Sequence, residues 1–187
     1  MITRLVIIGG SAGSLEVALK ILAKMPADLP HPVVLILHRM ASEDHMLEDL
    51  FAAKCELETV AVEDKTLLSG GKIFIAPSDY HLLFEGDGTL SLDTSPKVNY
   101  SRPSIDVSFE SAADAWKDRV TGILLSGANA DGSRGLEAIK KAGGTTVVQD
   151  PATAAMPVMP QSAIDFMQPD LIAGKAELVR VIQKGII

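Results

Sequence analysis

Four consecutive apolar residues, Leu5-Val6-Ile7-Ile8, run directly into Gly9-Gly10 with no polar residue to mark a wet side. A strand with one solvated face alternates apolar and polar residues. An unbroken run reads instead as a strand buried on both faces, the situation of a parallel sheet packed between helices. Runs of the same kind recur at Val33 to Leu37, Val120 to Leu125 and Thr145 to Val148. Helical spacing separates them. Leu15, Ala18, Leu19 and Leu22 form one stripe closed by Pro26, Met46 to Lys54 a second segment, and Gly135 to Ala142 a third, closed by Gly143-Gly144. Strands alternating with helices call for βαβ crossovers.

The middle of the chain differs. Ile73 to Ala76, Leu82 to Phe84 and Leu90 to Leu92 are short runs separated by Pro77-Ser78-Asp79 and Gly86-Asp87-Gly88, a pattern that predicts antiparallel hairpins at the sheet edge. A helix is expected over Ser104 to Trp116, with Ser104 as N-cap and Pro103 disfavouring helix at Arg102. Met159 to Met167 and Lys175 to Lys184 read as closing helices. The expected fold is α/β: a doubly wound, mostly parallel sheet with helices on both faces and an antiparallel β-hairpin. A length of 187 residues suits one domain over 1–187. Hydrophobic residues are 47% but aromatic ones only 4%, so the core must be aliphatic.

Several function classes drop out. The formal charge is −7 and no Lys/Arg-rich stretch offers the positive footprint that a phosphate backbone requires, so no nucleic-acid partner is expected. The acidic balance also disfavours anionic membranes, and no apolar run is long enough to span a bilayer. Core-strand pattern begins within a few residues of Met1, so no leader is expected. Cys55 is the only cysteine, which excludes an intrachain disulfide and a cysteine metal cluster. The expectation is a cytoplasmic protein without metal or cofactor; its oligomeric state is open.

In open parallel sheets, ligands bind beyond the carboxyl ends of the strands. Here those ends carry Gly9-Gly10-Ser11-Ala12-Gly13, then His38-Arg39-Met40, then Ser126 through Asp131-Gly132. Each of three strands is thus followed by one member of a Ser, His, Asp set. Ser11 has two readings: a helix cap or phosphate-cradling turn residue, or a nucleophile on a tight strand-to-helix turn. The dinucleotide reading suffers because the glycines miss the G-x-G-x-x-G register and His38 stands where a ribose-binding acid belongs. His38 is either a core histidine or a general base. Among the other histidines, His31 precedes Pro32 in a loop, His45 falls at a helix start, and His81 is the competitor for the base. Asp131 either shapes an Asp-Gly turn or accepts the ring N–H of His38.

Taken in order, these segments resemble a known family. Ile7 to Gly13, Leu37 to Met40, Ile75-Ala76-Pro77-Ser78-Asp79-Tyr80-His81-Leu82, Arg102-Pro103-Ser104-Ile105-Asp106-Val107, Leu125 to Gly132, Gly143 to Asp150 and Met159-Pro160 look like the catalytic domain of the chemotaxis protein-glutamate methylesterases, the CheB type. The resemblance runs from Leu5 to about Ala163. It implies a hydrolase that cleaves γ-glutamyl methyl esters on the cytoplasmic helices of chemoreceptors, or on another methylated protein, with glutamine deamidation as a related activity. It implies Ser11 as nucleophile, His38 as base and Asp131 as the acid. Family members usually carry an N-terminal receiver domain; this sequence opens at the catalytic strand, so a stand-alone catalytic domain is expected. Ala12 stands where a Thr is expected, and Gly127-Ala128-Asn129 where the family has Gly-Met-Gly. The backbone amides of Ala12 and Ala128 are the expected oxyanion donors. Arg102 is expected either to line the cleft or to pair with a carboxylate such as Asp106, while Met40 and Met159 read as packing residues. A nucleotide- or phosphate-binding module and a catalytically altered scaffold are the competing classes.

Overall fold

The computed structural model describes residues 2–39 and 45–186. In chain order the elements are β1 (Leu5–Gly10), α1 (Ser14–Leu22), β2 (Val33–Leu37), α2 (Met46–Lys54), β3 (Glu58–Ala61), β4 (Thr66–Leu67), β5 (Lys72–Ile75), β6 (His81–Phe84) and β7 (Thr89–Asp93). There follow α3 (Ile105–Trp116), β8 (Val120–Leu124), α4 (Ser133–Lys141), β9 (Thr145–Gln149), α5 (Val158–Phe166), β10 (Leu171–Ala173) and α6 (Lys175–Lys184). Seven strands form the main sheet in the order β10-β9-β8-β1-β2-β5-β3, every pairing in it parallel.

The unbroken apolar runs have the expected cause. Val6, Ile8, Val33, Leu35, Ile73, Ile123 and Val147 point to one face, where Val17 and Ile21 of α1, Phe51 of α2 and Leu178 and Ile182 of α6 cover them. The alternating residues Leu5, Ile7, Val34, Ile36, Phe74, Leu124 and Val148 point to the other, under Phe109 of α3, Leu136 of α4 and Met159 of α5. A strand clad on both sides takes apolar residues, or polar ones whose hydrogen bonds are met inside, as Thr121 Oγ1 is by the Gly185 carbonyl.

One expectation of the middle region is corrected. Lys72–Ile75 is a parallel member of the main sheet between β2 and β3, not part of a hairpin. The hairpin consists of β6 and β7, extended by β4 into a separate antiparallel sheet of order β4-β7-β6. Leu82, Phe84 and Leu90 seat it on the core on the α3 side. Among the described residues, no helix is long and apolar enough to cross a membrane.

This topology positions the site. β1 is central, with β2 on one side and β8 on the other; Gly10 pairs with Leu37, and Gly9 with Leu124. The chain leaves β1 toward opposite halves of the sheet, which makes its carboxyl end the switch point where a crevice opens.

Candidate active site

Ser11 follows β1, and its N–H donates to the Ser126 carbonyl (2.9 Å), which ties the turn to the segment leaving β8. The Ser126 hydroxyl is 2.8 Å from the Ala12 carbonyl and accepts the Met156 N–H (2.9 Å). Gly13 then turns the chain into α1 at φ +79°, where a Cβ would come within 2.6 Å of the Ala155 Cβ. Only glycine fits both the backbone and the space. No side chain caps α1, so the cap reading of Ser11 finds no support in the hydrogen bonds. The amide N–H groups of Ala12 and Ala128 have no acceptor among the described residues. Both residues are exposed.

His38 follows β2, its own N–H bonded to the Gly10 carbonyl (3.0 Å). Its Nε2 lies 2.7 Å from Asp131 Oδ2. Because a carboxylate accepts, we assign the ring proton to Nε2, leaving Nδ1 with a lone pair. The nearest polar group recorded at Nδ1 is the Ser101 hydroxyl, 3.5 Å away. Among the described residues, no hydrogen bond joins Ser11 to the ring, although both line the same cleft.

Asp131 is 1% exposed and fully engaged. Besides His38, it accepts from the Ser104 hydroxyl (2.9 Å) and from the N–H groups of Ile105 (2.7 Å) and Asp106 (3.1 Å), at the start of α3. Burial works to raise its pKa, but the bonds from His38, Ile105 and Asp106 outweigh it and hold the carboxyl below its ordinary value. Asp106 returns the arrangement. From the first turn of α3 its carboxylate accepts the N–H groups of Gly132 and Gly135, each at 2.9 Å, at the start of α4. Each helix therefore receives a carboxylate at its N-terminus, α3 from Asp131 just ahead of α4 and α4 from Asp106 in the first turn of α3, where free N–H groups and the helix dipole favour negative charge. Burial pushes the Asp106 carboxyl up; the Gly135 amide opposes this and the Asp131 charge adds to it.

Ser11 and His38 open on a cleft of about 610 Å³. One wall is the segment containing Lys97 and residues 99–103, and the remainder includes Arg39, Asp79 and Asn129. Asn129, next to Ala128, also lines the cleft. Arg102 also lines it, but its carboxylate partner is Asp79 (Nη2–Oδ1 2.8 Å), not Asp106, whose own cation is Arg134 (3.3 Å). Sequence neighbourhood favoured Asp106; helix α3 carries that side chain away toward α4. His81 is fully buried with both ring nitrogens occupied, by the Ser104 N–H (3.1 Å) and the Pro96 carbonyl (3.1 Å), so it belongs to the framework. Met159 is buried and fills the space beside Gly127, whereas Met40 lies outside the described residues. Among the described residues, no three His, Cys, Asp or Glu side chains group as metal ligands would.

The turn over the cleft is unusual. Val98 and Ser101 exchange both backbone hydrogen bonds (3.2 and 2.9 Å), with Asn99 and Tyr100 between them at φ +50° and +62°. Two positive φ values mark a type I′ turn, which favours Asn followed by Gly. A tyrosine held there costs about 1–2 kcal/mol of backbone strain.

Sequence reasoning missed Asn129 and Ser101 as cleft residues, and the acceptor role of Asp106. It identified Ser104 as a cap, which it is, its Oγ accepting the Val107 N–H (3.4 Å), but not as a donor to Asp131. The one available signal was local: Ser104 and Asp106 both lie in the Arg102-to-Val107 segment.

Comparison with known proteins gives the family. Residues 6–182 match the family model described as CheB methylesterase. A Leptospira interrogans protein, provisionally named protein-glutamate methylesterase/protein-glutamine glutaminase, is 40% identical over 167 residues, covering 89% of this chain and 86% of that one. A Symbiobacterium thermophilum protein of the same name is 33% identical over 87% of this chain, which spans only 45% of its length. The crystal structure of the Thermotoga maritima CheB methylesterase catalytic domain superposes with a TM-score of 0.93 at 27% identity, covering 98% of this chain and 99% of that one.

Proposed function

Because the chain belongs to the CheB methylesterase family, we propose that it hydrolyses γ-glutamyl methyl esters on a methylated protein, with Ser11 as nucleophile, His38 as base and Asp131 as the residue that orients the base. The observation that carries the reading is the His38–Asp131 hydrogen bond of 2.7 Å at the mouth of the cleft that Ser11 lines. A chemoreceptor is the substrate the resemblance implies, and glutamine deamidation follows from the same chemistry with ammonia as leaving group.

His38 Nδ1 takes the Ser11 proton as Oγ attacks the ester carbonyl. The ring is turned so that Nε2, not Nδ1, faces the carboxylate, the reverse of the familiar serine protease template; either nitrogen serves as base if the other is held. The tetrahedral oxyanion meets the free amides of Ala12 and Ala128. Collapse expels methanol with the proton from His38, and water, activated by the same ring, hydrolyses the acyl-enzyme to the glutamate carboxylate.

A second reading has an observation in its favour: the Ser101 hydroxyl is recorded at 3.5 Å from His38 Nδ1, whereas Ser11 is not hydrogen-bonded to it. Ser11 is preferred because it stands on the tight turn between β1 and α1, at the carboxyl end of the central strand, with the unpaired amide of Ala12 next to it. Labelling with a fluorophosphonate probe followed by peptide mapping separates the two. Modification at Ser11, abolished in His38→Ala, is the expected result. Modification at Ser101 overturns the assignment, and a folded protein that neither labels nor releases methanol from a methylated substrate overturns the esterase reading.

A further inference from the structure

Tyr100 is 99% exposed, yet it stands at the cleft edge on a turn whose backbone would be more comfortable with glycine. The turn is braced from below, Asn99 Nδ2 reaching Asp106 Oδ2 (3.4 Å), while Ser101 beside it faces the His38 ring. An aromatic ring at full exposure has little to do for the fold; a rigid, amphipathic ring beside a reactive centre is well suited to gripping a partner.

Charge is distributed to match. The protein carries a net −7, but the cleft lining contributes three cations, Arg39, Lys97 and Arg102, against one acid, Asp79. Arg39 is matched by Glu48 and Arg102 by Asp79. Among the described residues, Lys97 has no carboxylate within ion-pair distance, and it is exposed beside the turn. An uncompensated cation at the rim of a site in an acidic protein selects for an anionic partner.

We propose that the 97–101 turn is the docking edge for substrate: Tyr100 packs on an acidic polypeptide segment bearing the target ester, and Lys97 pairs with a carboxylate of that segment. The inference rests on the esterase reading for the identity of the target group, but binding can be measured apart from turnover.

The probe is a fluorescein-labelled peptide carrying one γ-methyl glutamate flanked by glutamates, titrated with the Ser11→Ala protein so that the ester persists. A matched peptide flanked by lysines is the control. The glutamate-flanked peptide should bind more tightly, and Tyr100→Gly should weaken it about tenfold, as loss of an aromatic anchor does. Glycine suits the positive φ, so the fold is kept. Tyr100→Phe should restore binding, and Lys97→Gln should reduce both the salt dependence and the preference for acidic flanks. Equal affinity of Tyr100→Gly and its parent, equal affinity for the two peptides, or no measurable binding overturns the proposal. Failure of the protein with Ser11 intact to release methanol from any ester is a separate result, and it overturns the esterase reading instead.

Discussion

Replacing Asp131 by asparagine changes one atom, and the structure states what that atom meets. Oδ1 accepts from the Ser104 hydroxyl and the Asp106 N–H; Oδ2 accepts from His38 Nε2 and the Ile105 N–H. Both oxygens face a backbone donor, so an asparagine amide nitrogen collides with an N–H in either flip. One buried N–H then loses its acceptor, at about 1–3 kcal/mol, and two surviving bonds weaken from charge-assisted to neutral, at about 1 kcal/mol each. Adding the lost charge at the α3 N-terminus, about 0.3–1 kcal/mol, the total is about 3–6 kcal/mol. If the amide nitrogen turns to His38, Nε2 must accept and the proton moves to Nδ1, where it blocks the base; a fall of about 10⁴ in kcat is the precedent for such a tautomer error. Urea denaturation and methanol release check the two effects. The pH dependence adds a third check. Asp131 has its folded pKa held below its ordinary 3.8, so its stabilisation is present above that value and lost as pH falls through the folded pKa. The stability gap between the two proteins should therefore narrow below pH 3.8. An Asp131→Asn protein within about 1 kcal/mol of its parent at neutral pH would refute the donor accounting. Retained turnover would refute the role of the carboxylate.

Three further outcomes follow from neighbouring residues. Asp106→Ala strips the acceptor from the buried Gly132 and Gly135 amides and should cost about 2–6 kcal/mol. Asp106→Asn, which keeps one carbonyl oxygen there, should cost much less in the same thermal melts; equal losses would argue against the shared cap. His81→Ala should lower stability by about 1–3 kcal/mol by orphaning the Ser104 N–H. It should leave the pH of the acidic limb of kcat/KM in place, and a displaced limb would return His81 to candidacy as base. Burial holds the His31 imidazole below its ordinary 6.5, against the bond to the Ile182 carbonyl, so the folded state resists protonation and stability should decline as pH falls below 6.5. His31→Gln should lack that decline, and identical pH profiles of the urea midpoint for both proteins would exclude the assignment.

The sheet was legible where its strands are clad on both faces. β1 and β2 announce themselves as apolar runs because every side chain in them must avoid water, while β8 and β9 keep a few buried polar residues, Thr121, Thr146 and Gln149, each with a hydrogen-bond partner. β3 and β10 escaped notice because they are the two edges of the main sheet, short and half-exposed, with glutamate and threonine in one and three residues in the other. β5 was visible as a run, but nothing in Lys72–Ile75 distinguishes a parallel strand from one arm of a hairpin. At the cleft, Ser11 and His38 could be placed because each directly follows a strand's carboxyl end, and Asp131 because it lies on the segment that leaves β8. Ser101 could not, since loop conformation alone brings it in, whereas Asn129 lies on the same β8–α4 segment as Asp131 and lacked only a chemistry that would single it out. The pairing of Arg102 with Asp79 spans 23 residues, and no local pattern foretells it.

The exchange of carboxylates between α3 and α4 bears on how the proposed base would be held. Asp131 receives three donors that are not histidine, namely Ser104 Oγ and the amides of Ile105 and Asp106. Those donors favour its charge whether or not the ring beside it carries a second proton. A carboxylate supported in this way has little reason to take the proton from an imidazolium, so it orients and stabilises the ring without relaying charge. The support depends in turn on α4 starting where it does, and Asp106 anchors that start from the α3 side. Gly132 sits between the two at φ +95°, where a Cβ would lie 2.6 Å from Leu124 of β8. Packing between helices and sheet beneath the cleft thus sets the position of a side chain at its mouth. Under this reading, substitutions along the α3–α4 contact lower kcat before they raise KM, because they disturb the base while leaving the docking edge of the cleft in place.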